Sequence, residues 1–434
     1  MGGDREVNTR KIASFLAITL LGGGFFSPEY RAFASLPPFL TLPAGDRIAL
    51  HAVPGFGWST QGRVQEAAGP NALEVSAQGD GQLALTLAGV PMKRVPVRVT
   101  PRRMVTLGGQ AIGVVVHGRG TTVVGLDRIP TTEGESTAPG REAGLRVGDL
   151  LLSVDGRSVQ DDRGLAASVD AAGREHRSLR LRIERDGRTL DLTAHPVFDR
   201  ALGRYRLGVY VRDRMAGVGT LTFSDPAHGR FAALGHRVAL TKEGPAPAAG
   251  VILPAAIVGV ERAVRGKPGQ KIGVIGYGAQ AMGRIERNQE VGVGGSLSLA
   301  RMHGRRMQIA SVSQVHPGDA TLFTVLQGGG VQAFRLRIDR VVPDRRAGAK
   351  SLVLRITDRR LLRLTGGIVQ GMSGSPIVQD GRLAGAVTHV FIHDPTRGYG
   401  TFAVWMYEDL VSRGAHAAIV RHGTPWQHLE AGAS

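Results

Sequence analysis

At 434 residues the chain exceeds what one small core can fill, so roughly two to four domains are expected, and with no cysteine neither a disulfide framework nor a thiolate metal centre is available to stabilise them. The formal charge of +18 comes from 54 Lys and Arg against 36 Asp and Glu. No helix-turn-helix, zinc or RNA-binding pattern accompanies that charge, and aromatic residues at 5% are too sparse to interleave with it. A solvated basic face or attraction to an anionic membrane surface is therefore favoured over nucleic acid.

Arg10 and Lys11 precede an apolar stretch from Ile12 to Phe26. It is shorter than the roughly 20 residues that span a bilayer, and Ala32-Phe33-Ala34 offers a cleavage site, so residues 1–35 read as a signal peptide or membrane anchor. Everything beyond is then exported. Residues 36–104 carry short alternating runs such as Leu83-Ala84-Leu85-Thr86-Leu87 and read as a small β-rich domain.

Residues 105–198 read as a PDZ domain. Ala111-Ile112-Gly113-Val114 has the x-Φ-G-Φ form of a carboxylate-binding loop, which makes Ile112, Gly113 and Val114 the candidate peptide-binding residues. Ala143 to Gly156 is close to the PDZ consensus, Gly164 to Ala172 can supply the groove helix, and Leu181, Ile183, Leu190 and Leu192 flank an Asp186-Gly187 hairpin turn. From 199 to 434, short strands separated by Gly, Pro and Asp suit a double β-barrel. The predicted fold is thus mainly β: an export or anchor segment, a small β domain, a PDZ domain and a chymotrypsin-like double β-barrel.

Within that last region lies Gly371-Met372-Ser373-Gly374-Ser375-Pro376. A serine bracketed by glycines at a tight turn suits a nucleophile whose own N–H, with that of Gly371, faces a developing oxyanion. Ser373 fits that role better than Ser375. Serine needs a base held by a third group. His236, in Ala233-Leu234-Gly235-His236, and His389 are the leading bases, with His228, His316 and His393 as rivals; Asp213, Asp319, Asp339, Asp358 and Asp394 are available acids. No His-Glu-x-x-His or carboxylate cluster has metal-ligand spacing, so neither metal nor cofactor is expected.

The run from Leu364 to Ile377, its continuation through Gly385-Ala386-Val387-Thr388-His389 and Asp394 to Gly400, and the stretch from Leu207 through Gly217-Val218-Gly219-Thr220 to His236 resemble the SpoIVB peptidases of endospore-forming bacteria. The resemblance covers roughly Gly108 to Trp405 and includes a PDZ module before the catalytic domain, whereas HtrA-type proteases place it after. It implies Ser373 as nucleophile, His236 as base, Asp358 as orienting acid, and Thr388 and His389 as cleft residues. Arg237-Val238-Ala239-Leu240-Thr241-Lys242 lacks the acidic residues of that family. Members of the family are exported into the space between forespore and mother cell, cleave themselves, and cut a protein associated with a membrane-embedded metalloprotease. The resemblance therefore implies an exported serine endopeptidase acting on the regulatory subunit of such a complex, with a PDZ-bound peptide that could be its own N-terminal region. A non-catalytic PDZ scaffold and an HtrA-like quality-control protease are the alternatives.

Overall fold

The computed structural model describes residues 33, 36–51, 56–68, 72–131, 136–159, 161–238, 249–276, 280–298, 300, 304–342 and 347–412. The apolar stretch from Ile12 to Phe26 lies outside them, and no helix among the described residues is long and apolar enough to cross a membrane. The fold is mainly β, as predicted, with 58% of the described residues in strand against 11% in helix. Two compact units are present: the chain before Met104 together with Ile309–His316, and the remainder.

In the first unit, Leu40–Pro43, Arg47–His51, Gly57–Ala68, Ala72–Leu87 and Val90–Thr100 (β1 to β5) form one sheet. On β5 the period-two pattern is explicit, Val95 and Val97 being buried between exposed Arg94, Pro96 and Arg98. Their partners are Leu40, Leu42, Val75 and Leu83. The segment Ile309–His316 joins this sheet through Thr41 N–H donating to Ser313 Oγ at 2.8 Å and Gln314 Nε2 donating to Asp46 Oδ2 at 2.9 Å.

The second unit opens with Met104–Leu107 (β6) and the long strand Ala111–Leu126 (β7). Then come the helix Pro139–Glu142 (α1), Leu150–Val154 (β8), the helix Asp162–Arg174 (α2), Leu179–Arg185 (β9) and Arg188–Ala194 (β10). Asp161 caps α2 by accepting from Gly164 N at 2.7 Å, and the helix buries Leu165, Val169 and Ala172 on one face. Burying side chains such as Leu165 and Val169 contributes ~1.5–3 kcal/mol each. Gly173 closes the packing, since a Cβ there would sit 2.1 Å from the Tyr205 ring.

The chain continues through Val209–Asp225 (β11), Arg230–Ala233 (β12), Ala249–Glu261 (β13), Gln270–Ile275 (β14), Gly283–Gln289 (β15), Gly292–Leu297 (β16) and Arg306–Gln308 (β17). Strands β7, β13, β15, β16, β12 and β11 close a six-strand ring because β11 returns to pair with β7. A second closed barrel contains Gly318–Thr324 (β18), Gln332–Val341 (β19), Leu352–Ile356 (β20), Pro376–Gln379 (β21), Arg382–Phe391 (β22) and Asp394–Phe402 (β23). Between β20 and β21 lies the helix Arg359–Thr365 (α3), and Ala403–Val411 (α4) ends the described chain.

This connectivity corrects the expected carboxylate-binding loop. Ile112, Gly113 and Val114 lie in the barrel half of β7, paired to Gly219, Val218 and Gly217 of β11 on one side and to Pro254, Leu253 and Ile252 of β13 on the other. With both edges occupied they cannot add a peptide strand. Ile112 is wholly buried in the barrel core with Phe231 and Ile252. The PDZ region begins only in the second half of β7, where Thr121 and Thr122 pair with β8. It is inserted between the first strand of the first barrel and the rest of that barrel, so the peptidase fold draws on residues well before 199.

The x-Φ-G-Φ pattern recurs at Arg206-Leu207-Gly208-Val209, where the open edge of β11 faces α2 across a cavity of about 250 Å³. Gly208 has φ +64°, and a Cβ there would meet the Asp127 carbonyl at 2.4 Å. Leu165, Val169 and Leu207 supply the apolar lining. We expect Val169→Glu to weaken binding of a peptide with an apolar C-terminus about tenfold or more, in line with the ~1.5–3 kcal/mol of one buried aliphatic side chain. Fluorescence titration of such a peptide measures this, and unchanged affinity would place the groove elsewhere.

Candidate active site

The turn before β21 is built by glycines held at conformations other residues avoid. Gly371 has φ +88° and Gly374 φ +89°, and a Cβ at Gly374 would lie 2.1 Å from Thr220 O and 2.4 Å from Leu234 N. That contact is where the barrels meet: Thr220 of β11 donates its N–H to Ser373 O at 3.0 Å and its hydroxyl to Gly371 O at 2.8 Å, while Thr222 donates to Gly374 O at 2.8 Å. From the second barrel, Val387 O accepts from Gly374 N at 2.8 Å.

Within the turn, Met372 N donates to Val369 O and Ser375 N to Met372 O. Among the described residues no hydrogen bond takes the N–H of Gly371 or of Ser373. These are the two donors an oxyanion on Ser373 would need.

Ser373 is partly exposed and its Oγ donates to Thr388 O at 2.8 Å. Ser375 is wholly buried and cannot meet a substrate. His236 arrives directly after β12, where Leu234 at φ +68° and Gly235 at φ +69° turn the chain back towards β22; a Cβ on Gly235 would touch Thr388 Cγ2 at 2.9 Å. The His236 ring lies 5.0 Å from that of His389, centroid to centroid. Ser373, through Thr388 O, and His236, through the His389 ring, are therefore both brought to the Thr388-His389 stretch of β22. Thr388 takes part through its carbonyl only, its side chain being buried and donating to Ala349 O at 2.6 Å.

Nδ1 of His236 lies 2.8 Å from the carbonyl of Arg237, so Nδ1 carries the hydrogen and Nε2 keeps the lone pair a base requires. Burial pulls this imidazole below its ordinary pKa, while the Arg237 carbonyl and the Glu290 carboxylate draw it partly back. His389 is pushed down to about 4, by burial first and then by the charges of His236 and Lys350. Both rings are neutral at pH 7.

Among the described residues no hydrogen bond joins Asp358 to His236. Its carboxylate caps α3, accepting from Arg360 N at 2.9 Å and Leu361 N at 3.2 Å, and also accepts Arg335 N at 3.2 Å. These bonds, with Arg360 nearby, outweigh desolvation and hold it below the usual carboxylate range. Among the rival acids, Asp319 pairs with Arg337, Asp339 with Arg355, and Asp394 with Thr396; the side chain of Asp213 lies outside the described residues. The carboxylate whose field reaches His236 is Glu290, in the turn between β15 and β16, which pairs with Arg237 at 3.3 Å. Nothing in Gln289-Glu290-Val291 marks it in the sequence; only the closure of the barrel carries it to the histidine. We expect Asp358→Ala to keep active-site labelling while lowering stability by about 1 kcal/mol, the usual worth of an N-cap. Loss of labelling in a variant that melts like wild type would restore Asp358 as the orienting acid.

Residues 203–407 match the SpoIVB peptidase S55 family, and residues 132–185 match a PDZ domain. No curated protein matches the chain. Among solved structures, the active form of the Rv3671c protease from M. tuberculosis is similar at 14% identity, covering 46% of this chain and 75% of that one with a TM-score of 0.27.

Proposed function

We propose that this serine peptidase of the S55 type, with a PDZ domain set into its first barrel, is an exported endopeptidase that cleaves a membrane-associated regulatory protein, and itself, in signalling between compartments during endospore formation. The observation that carries the catalytic part is that Ser373, in a glycine turn with two available N–H donors, and His236 both reach Thr388-His389 of β22, one from each barrel. Ser373 turns its hydroxyl from Thr388 O to Nε2 of His236, attacks the scissile carbonyl, and the N–H groups of Gly371 and Ser373 receive the oxyanion. His236 returns the proton to the leaving amine. Arg237 O fixes its tautomer, and Glu290 supplies the negative potential that favours the imidazolium.

The α2–β11 groove would hold an apolar C-terminal segment, either of the substrate or of the chain's own N-terminal region after release. Its partner in this reading is the regulatory subunit of a membrane-embedded metalloprotease, reached from the exported side of the membrane. Incubation of the purified chain with casein and with membranes bearing such a complex tests this reading. A single defined cut in a membrane-associated protein, with casein left whole, supports it; broad digestion of casein would mark a quality-control protease instead.

A further inference from the structure

Behind the catalytic turn a lysine is buried with no counter-ion among the described residues. Lys271 of β14 is 6% exposed, and its Nζ donates to Thr324 Oγ1 at 2.7 Å. Ser375 Oγ donates to Thr324 Oγ1 at 2.9 Å and approaches Thr220 Oγ1 at 3.4 Å, and Thr220 Oγ1 donates to Gly371 O at 2.8 Å. Thr220, Thr324 and Ser375 are wholly buried. The backbone agrees with this chain: Lys271 N donates to Gln370 O at 2.9 Å, and the lysine stem lies where a Cβ on Gly371 would be, 3.1 Å away. Burying an ammonium this far without a paired charge is costly, and groups perturbed in this way cluster at functional sites.

We propose that Lys271 is a positioning residue of the peptidase reaction: from beneath the turn, its ammonium orders the hydroxyls of Thr324, Ser375 and Thr220 so that the Gly371 carbonyl is held inward and the N–H groups of Gly371 and Ser373 stay aimed at the oxyanion. This rests on the serine-peptidase reading above. A protonated lysine can only donate, so it holds Thr324 Oγ1 as the shared acceptor of Lys271 and Ser375; a neutral one can also accept from Thr324, and that arrangement is released.

Burial alone lowers the Lys271 pKa, to about 7. The groups facing it from β18, β11 and the turn are the hydroxyls of Thr324, Thr220 and Ser375, none of which titrates near neutrality. On the adjoining β13, Glu261 is engaged by Lys267 at 2.8 Å and by Gln270 at 3.1 Å. His236 and Lys350 act on His389, and none of the three acts on Lys271. The active form therefore needs His236 neutral and Lys271 charged, and activity falls as pH rises through about 7.

The stability sign is opposite. The unfolded chain keeps the lysine proton to about pH 10.4, the folded chain releases it at about 7, and between these values the unfolded state binds more protons, so stability rises with pH.

The test compares wild type, Lys271→Met and Thr324→Val by fluorophosphonate labelling rate and by melting temperature, from about pH 5.5 to about pH 10, a range that brackets the folded and unfolded lysine. Both variants should label about tenfold or more slowly at about pH 6.5, less than the ~10²–10³ of deleting an oxyanion donor outright, and should lack the wild-type fall above about pH 7. Lys271→Met should also melt higher than wild type at the acidic end and lose the rise in stability towards the alkaline end. Wild-type rate and profile in both variants would overturn the proposal. So would slower labelling accompanied by a lower melting temperature and an unchanged profile, since that is a packing defect. A folded wild type that never labels, yet still gains stability with pH, would remove the peptidase reading and the proposal with it.

Discussion

The Ser373→Ala chain should take up no fluorophosphonate and hydrolyse peptide at least about 10⁴-fold more slowly than wild type, because members of a nucleophile–base pair act as a unit. His236→Ala should match it closely. Ser375→Ala should still be labelled: its hydroxyl is wholly buried and touches Thr324 and Thr220, so its loss slows the reaction without removing the attacking atom. The pH profile adds a second readout. His236 must be neutral to accept the serine proton, and burial lowers its pKa, so activity should hold as pH falls through 6.5 and decline only beneath it. Mass spectrometry of the labelled peptide gives the site directly. Equal labelling of all variants, or none in a folded wild type, would leave a non-catalytic scaffold whose working surface is the PDZ groove.

Gly374→Ala should unfold the catalytic region. The new methyl would be placed 2.1 Å from Thr220 O and 2.4 Å from Leu234 N, both backbone atoms in barrel strands or at their ends, so no side-chain rotation relieves it. The residue would also stand at φ +89°. Separation of the barrels at this seam loses the hydrogen bonds from Thr220 and Thr222 together, and a cost above about 4 kcal/mol is expected, in the range tied to a named packing failure. Gly229→Ala is the control. It has a similar φ of +63° but open space around it, and should cost only ~1–2 kcal/mol. Thermal melting separates the two cases. If both variants melt alike, the close approach of the barrels at Gly374 is not what the turn requires.

The parts legible in the sequence were those whose chemistry is local. A glycine-bracketed serine before Pro376 announces a tight turn, and Leu234-Gly235-His236 announces a histidine on a sharp exit from a strand. The Asp186-Gly187 hairpin and the groove helix were equally explicit. Features that depend on strand pairing were not. The pattern x-Φ-G-Φ occurs at Gly113 and again at Gly208, and only the pairing of β7 on both edges decides that the second borders a groove. Asp358 carries a readable signal of a structural role: Asp before Arg359-Arg360-Leu361-Leu362, with Gly366 closing the helix at φ +74°, is a capped turn of helix. Lys271 has no such signal, since its position in Gln270–Ile275 looks like an exposed site on an edge strand until the second barrel covers it.

Because β7 enters the first barrel before the PDZ region and β11 re-enters it afterwards, the two strands are held by eleven register pairs while the whole PDZ region hangs between them. In the function proposed, self-processing would therefore be limited by where β7 begins. A cut before Met104 leaves both barrels whole and can serve as maturation. A cut that frees the PDZ region by severing β7 from the chain beyond it leaves a nicked pair, still zipped along its length, and one that removes β7 exposes the facing edges of β11 and β13 at once. Trimming on one side of that boundary shapes the enzyme; on the other side it ends it.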